Sequence, residues 1–207
     1  HDEWAPRAPG LKTIEDATEI RRRILSAFEA AELDAAKATV GALMTFVIVG
    51  GGPTGVELAG AVAEIATDTL AGNFRRINPA DAHIVLVEGA DRILPTYPPD
   101  LSARAAASLA RLGVIVRARA MVTDIQPDGV TIRVGDRTER IPTATTLWAA
   151  GVQASGLGRA LSVATGCQLD RAGRVIVQRD LTVPAHANIF VIGDLAHAED
   201  EHGAMLP

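Results

Sequence analysis

Residues 46–55 read Phe46-Val47-Ile48-Val49-Gly50-Gly51-Gly52-Pro53-Thr54-Gly55, and their order decides the fold. The first four are apolar without alternation, the mark of a strand buried on both faces of a parallel sheet. Glycines follow, and then a stretch from about Thr54 to Leu70 that reads as a helix ending near Gly72. Gly50, Gly52 and Gly55 make G-x-G-x-x-G. Alone that pattern means little; between a buried strand and a helix it is a dinucleotide-binding fingerprint. Gly50 permits the tight turn out of the strand, Gly52 lets the backbone approach a pyrophosphate, and Gly55 lets helix and strand pack closely. The helix N-terminus adds free N–H groups and the positive end of its dipole. Pro53 lacks a donor but suits a first helical turn.

Downstream the pattern continues. Ile84-Val85-Leu86-Val87 is a second buried strand, Leu101 to Leu112 a helix, and Val114-Ile115-Val116 a third strand. This β-α-β-α-β order predicts a right-handed, helix-covered parallel sheet of the Rossmann type. Glu88 ends the second strand, where an acid reads the adenosine ribose hydroxyls and repels a 2′-phosphate, which favours NAD(H) over NADP(H). Its distance from the glycines exceeds the usual separation of about 20 residues, and Arg92 lies close enough to blur the preference. The period then drops to two: Val130, Ile132 and Val134 alternate with Thr131 and Arg133 between turn residues. With Met121 to Ile125 before and Thr138 to Ile141 after, the region reads as a three-stranded antiparallel meander. Thr146-Leu147-Trp148-Ala149 returns to a buried strand. Beyond Ser155 the chain reads as loop-rich as far as the strand Val175-Ile176-Val177, and Ile189-Phe190-Val191-Ile192 reads as a last apolar strand.

The chain has 207 residues, 48% of them hydrophobic, and a formal net charge of −5. That is ample for a buried core. The acidic balance and the 3% aromatic content argue against a nucleic-acid binder. No apolar run approaches the roughly 20 residues of a membrane-spanning helix. Cys167 stands alone, which excludes an internal disulfide or CxxC motif. The histidines form no HxxxH or HExxH pair, so no metal site is expected, and no G-x-S-x-G marks a nucleophilic serine. The chain reads as soluble.

Ahead of the fingerprint, residues 1–10 carry Pro6 and Pro9 and read as extended. Thr13 caps an amphipathic helix with Ile14, Ala17, Ile20, Ile24, Phe28 and Ala31 on its apolar stripe. Arg21-Arg22-Arg23 is either a solvated helix face paired with Glu19 or a contact for phosphate or anionic lipid. Glu57 has two readings as well: a first-turn acid stabilised by the helix dipole, or a group near the reactive end of the dinucleotide. The chain opens at His1 rather than Met and stops at Met205-Leu206-Pro207, so it is expected to be an excised piece of a larger protein.

Three stretches together resemble the flavoproteins with two dinucleotide-binding domains: Phe46 through Gly60, Leu147-Trp148-Ala149-Ala150-Gly151-Val152, and Ile189-Phe190-Val191-Ile192-Gly193-Asp194. With Val56-Glu57-Leu58-Ala59-Gly60 and the segment from His1 through Phe28, the chain is similar to type II NADH:quinone oxidoreductases. The resemblance implies an NADH domain over residues 44–151, set into an FAD domain to which residues 1–43 and 152–207 belong. It implies cofactor contacts from Gly50, Gly51, Gly52, Pro53, Thr54 and Gly55, from Glu88, and through the backbone of Val122 to adenine. Ala150 and Gly151 would approach the nicotinamide, Gly193 and Asp194 the ribityl chain of FAD, and Glu57, the expected catalytic residue, the nicotinamide–flavin contact. The implied reaction is hydride transfer from NADH to FAD and on to a quinone. The parent would be peripheral on the cytoplasmic side of a membrane and a possible homodimer. Two alternatives stand beside it: a ferredoxin or rubredoxin reductase of the same fold, and an NADH-binding module without turnover.

Overall fold

The structure is a computed structural model and describes residues 2–34, 37–151, 154–203 and 206. The chain divides into two compact units between Ala150 and Gly151. The first runs α1 (Ile14–Leu33), α2 (Lys37–Leu43), β1 (Thr45–Val49), α3 (Pro53–Glu64), β2 (His83–Val87), α4 (Pro99–Arg111), β3 (Ile115–Arg117), β4 (Ala120–Gln126), β5 (Gly129–Val134), β6 (Arg137–Pro142) and β7 (Thr145–Trp148).

β3, β2, β1 and β7 lie in that order in one parallel sheet, with Val47 opposite both Val85 and Thr146. Side chains alternate across it. Phe46, Ile48, Ile84, Leu86 and Leu147 meet Ile20, Ile24 and Phe28 of α1, Val62 of α3 and Leu109 of α4. Val47, Val49, Val85 and Val87 face the other way, onto Ala120, Val122, Ile125, Val130, Ile132 and Ile141 of the antiparallel meander β4-β5-β6. The unbroken apolar runs follow from this: the sheet is covered on both faces. The expected helical cover holds for one face, while the meander supplies the other.

α1 begins with the expected cap, a reciprocal box in which Asp16 N donates to Thr13 Oγ1 and Thr13 N to Asp16 Oδ2. Ile14 nonetheless stands outside the stripe, 83% exposed. Arg22 and Arg23 pair with Glu19, and Arg23 also donates to the carbonyls of Pro6 and Arg7. The basic run therefore serves the helix face and the segment before it. That segment is not extended as expected. Asp2–Trp4 is a 3-10 turn, Arg7 N and Ala8 N donate to the Trp4 carbonyl, and the Trp4 ring is buried 5.8 Å from Trp148. Burial of the indole curls the chain; the prolines do not straighten it. α3 passes at Ile65 into a π-helical stretch, Ile65–Thr69, so the helix reaches its expected end, near Gly72 at φ +74°, in altered form.

The second unit holds α5 (Gly156–Thr165), β8 (Val175–Ile176), β9 (Thr182–Val183), β10 (His186–Phe190) and β11 (Ala196–His197). α5 replaces part of the expected loop. Cys167, Val175, Val183 and Val191 form the unit's core. The strand expected at residues 189–192 is β10, which begins earlier and ends at Phe190, and it is not the last, because β11 follows it. Val191 is buried, but Phe190 and Ile192 are 63% and 71% exposed. Among the described residues no helix is long and apolar enough to cross a membrane. Val152, Met205 and Pro207, named above, lie outside the described residues.

Candidate functional site

The glycine loop leaves β1 at the carboxyl end of the parallel strands, where open α/β sheets bind their ligands. Gly50 has φ +109°, and a Cβ there would lie 2.6 Å from the Ala150 backbone nitrogen. No L side chain fits that conformation or that space. A Cβ on Gly55 would collide with the Gly50 carbonyl, so helix and loop pack as closely as the fingerprint requires. A Cβ on Gly51 would come within 2.9 Å of both Glu88 Cβ and Ile93 Cγ2. Gly52 faces open space. It is the N-cap of α3, Pro53 is the first helical residue, and no side chain caps the helix. A pyrophosphate thus has an open approach to the terminus through Gly52, with Thr54 and Gly55 in the first turn.

Glu88 is joined to this loop. Its Oε2 accepts from Gly51 N at 2.5 Å and its Oε1 from Ala90 N at 2.6 Å. Each carboxylate oxygen keeps a further lone pair for a hydroxyl. The register explains why the long sequence separation is harmless. Val49 pairs with Val87, and Gly50 N donates to the Val87 carbonyl at 2.8 Å, which sets loop and acid side by side. The additional residues form the π-helical stretch and the segment leading to β2, outside the sheet.

Arg92 is engaged within its own segment. Its guanidinium donates to the carbonyls of Leu94 at 3.2 Å, Pro95 at 2.8 Å and Tyr97 at 2.8 Å, folded into its own loop. Leu94 N in turn donates to the Gly51 carbonyl at 2.7 Å, and buried Ser102 Oγ donates to the Ile93 carbonyl at 2.7 Å. The result is a strap that seats Ile93, 2% exposed, beneath Gly51. The sequence reading missed Ile93, Leu94 and Ser102; the local cue is the proline-bounded turn Pro95–Pro98 that lies between Leu94 and Ser102.

Glu57 lies on α3 beyond its first turn, which carries no acid, so the first-turn reading is corrected. Its side chain is exposed and makes no hydrogen bond or ion pair among the described residues. The Val122 side chain is buried in the meander core, with a register shift between Val122 and Asp124, so only its backbone is left for an outward contact. Half-buried Ala150 ends the first unit. Gly50 to Gly55, Glu88 and Ala150 therefore converge. Gly151, Gly193 and Asp194 belong to the second unit, where Gly193–Leu195 is a 3-10 turn with Asp194 exposed.

In that unit Asp170 accepts from Arg174 Nε at 2.7 Å, from the backbone nitrogens of Ala172 and Arg174, and from His197 Nδ1 at 3.0 Å. Burial pushes its pKa up. The bonds from Arg174, His197 and Ala172 outweigh that and hold it well below the usual carboxylate range. Among the described residues, no three His, Cys, Asp or Glu side chains gather as metal ligands.

A glycine loop with an open phosphate approach, an uncapped helix terminus and an acid at the end of β2 define a dinucleotide-binding module. The chain belongs to the pyridine nucleotide-disulphide oxidoreductase family, whose profile matches residues 5–206. Its relatives include the type II NADH:quinone oxidoreductases Ndh and NdhA of Mycobacterium tuberculosis. They are 48% and 49% identical to it over 98% and 94% of this chain. The chain spans 44% and 42% of their lengths. The resemblance read from the sequence is thereby borne out. In structure it resembles NDH2 from Plasmodium falciparum in complex with NADH (TM-score 0.72, 23% identity, 94% of this chain and 40% of that one). It also resembles a putidaredoxin reductase bound to putidaredoxin (TM-score 0.62, 20% identity, 98% and 41%). At these identities the likeness is one of fold.

Proposed function

We propose that residues 44–151 bind NADH and that the chain is the NADH-binding portion of a flavoprotein that passes hydride from NADH to FAD and on to a quinone. The observation that carries the cofactor reading is the Glu88 carboxylate fixed beside the open glycine loop by Gly51 N. A hydroxyl of the adenosine ribose can donate to it, whereas a 2′-phosphate would meet its negative charge with Arg92 turned away. The helix terminus at Gly52 faces the pyrophosphate. Ala150 and Gly151 border the nicotinamide, Glu57 stands toward its meeting with the flavin, and Gly193 with Asp194 takes the ribityl chain. FAD, when bound, supplies the hydride acceptor; the protein's share is orientation and exclusion of competing reactions.

On this reading the segments before Met44 and after Gly151 serve an FAD domain, in a protein peripheral on the cytoplasmic side of a membrane. The quinone is favoured over a protein acceptor by the relatives at 48% and 49% identity. The test is NADH oxidation by the protein with its native flanking sequence and FAD. Turnover with a short-chain soluble quinone supports the proposal. Turnover that needs an iron–sulfur protein moves the chain to the ferredoxin reductase type, and NADH binding without turnover makes it a binding module.

A further inference from the structure

The strap after β2 reaches the phosphate approach through a single bond, from Leu94 N to the Gly51 carbonyl. To make it, Leu94 takes φ +49°, a left-handed backbone that a bulky residue avoids. Arg92 holds it there. Nη1 donates to the carbonyls of Leu94 and Tyr97 and Nη2 to that of Pro95, while Tyr97 N closes the turn onto the Leu94 carbonyl at 3.0 Å. Gly51 then has both backbone groups engaged, its N–H by Glu88 and its carbonyl by Leu94. In a trans peptide the carbonyl and the following N–H point in opposite directions. Tying the Gly51 carbonyl to the strap therefore turns the Gly52 N–H away from it. Gly52 N has no hydrogen-bond partner among the described residues, and the space beside its Cα is open. Pro53 brings no N–H, so the donor on Gly52 weighs more. Gly51 and Gly52 both lack a Cβ, and the peptide between them rotates at little cost unless something holds it.

We propose that Arg92 is a positioning residue for the pyrophosphate: by closing the turn around Leu94 it locks the Gly51–Gly52 peptide with its N–H toward the phosphate approach. The inference rests on the reading of the glycine loop as the dinucleotide site. Released from Leu94, the peptide can turn over and set the Gly51 carbonyl, in place of an N–H, against a phosphate oxygen. Two oxygens then oppose each other and a hydrogen bond to a charged group is lost. Arg92 acts here only through backbone carbonyls.

Leucine resists φ +49°, whereas glycine takes it freely, and the test uses that difference. The 207-residue chain is titrated with ADP-ribose by calorimetry as wild type, Arg92→Ala, Leu94→Gly and the double variant. Arg92→Ala should weaken binding at least about tenfold, the scale of one hydrogen bond to a charged group. Leu94→Gly should stay within about threefold of wild type, and in its background Arg92→Ala should cost no more than about twofold. Should Arg92→Ala not fold, the double variant carries the test: it should fold and bind, and its failure to do so overturns the proposal. An equal loss from Arg92→Ala in the native and the Leu94→Gly backgrounds, as general damage to the fold would give, overturns it too. A wild type that binds neither ADP-ribose nor NADH removes the nucleotide site itself, and the role of Arg92 with it. A wild type that binds ADP-ribose no better than Arg92→Ala leaves the site standing and removes that role alone.

Discussion

Glu88 has two tasks in this structure, and a three-member series separates them. Its carboxylate accepts one N–H from the glycine loop and one from the turn after β2, at 2.5 Å and 2.6 Å. A hydrogen bond to a charged group contributes about 1.5–3 kcal/mol. The site is half-buried and water can replace part of the loss, so the lower figure applies to each bond. Glu88→Ala then costs about 3 kcal/mol and Glu88→Gln, which keeps one acceptor oxygen, about 1.5 kcal/mol. At about 2–4 °C per kcal/mol for a chain of this size, Tm should fall by about 6–12 °C for alanine and half of that for glutamine. Both tryptophans of the chain, Trp4 and Trp148, lie in the first unit, so their near-UV signal follows that unit. NADH and NADPH titrations of the same proteins read the second task. Wild type should prefer NADH, and alanine should lose that preference without gaining NADPH affinity, because Arg92 is held by three carbonyls. An alanine variant that melts within about 1 °C of wild type would refute the anchoring role, and equal wild-type affinities for the two nucleotides would refute the ribose role.

Three further outcomes follow from the same geometry. Glu57→Gln, with no bond to lose, should leave Tm unchanged and alter single-turnover hydride transfer in the FAD-bound protein; a lower Tm with unaltered kinetics would return Glu57 to a structural part. Because the folded-state pKa of Asp170 lies below its ordinary 3.8, its contribution to stability is complete above that value and is lost as pH falls further. Asp170→Asn should therefore melt below wild type at neutral pH, with the gap narrowing below about pH 4; a gap that does not change with pH contradicts this. The 207-residue chain incubated with FAD and desalted should keep no flavin absorbance. Asp194 offers one charge-assisted bond of about 1.5–3 kcal/mol, where micromolar retention needs about 8 kcal/mol and the sequence holds a single G-x-G-x-x-G.

The sequence displayed what local pattern alone determines. β1 and β2 were legible because a strand covered on both faces can only be written as an unbroken apolar run, and β5 because its alternation between turns admits one reading. α2 and α5 were not. α2 has seven residues, with β-branched Thr39 and Val40 and Gly41 among them, and α5 opens with Gly156 and Gly158; propensity speaks against both, and packing decides. The curl of the N-terminal segment depends on burial of Trp4 against Trp148, residues far apart in sequence. At the site the same division holds. Gly50, Gly52, Gly55 and the acid Glu88 announce themselves by motif. The bond from Gly51 to Glu88 spans 37 residues and exists only through the β1–β2 register. Likewise, Arg92 is a free cation in sequence and an anchored one in the fold.

The central claim is that the first unit holds an NADH site built on the loop Gly50 to Gly55 and on Glu88. Calorimetric titration of the 207-residue chain with NADH, set beside the Gly55→Ala variant, tests it most directly. Its Cβ would strike the Gly50 carbonyl and force the loop off the helix terminus. The account predicts saturable one-to-one NADH binding by the wild type and at least a tenfold loss in the variant, about 1.4 kcal/mol. Wild-type protein that does not bind NADH, or a variant that binds it as well as the wild type, contradicts the account.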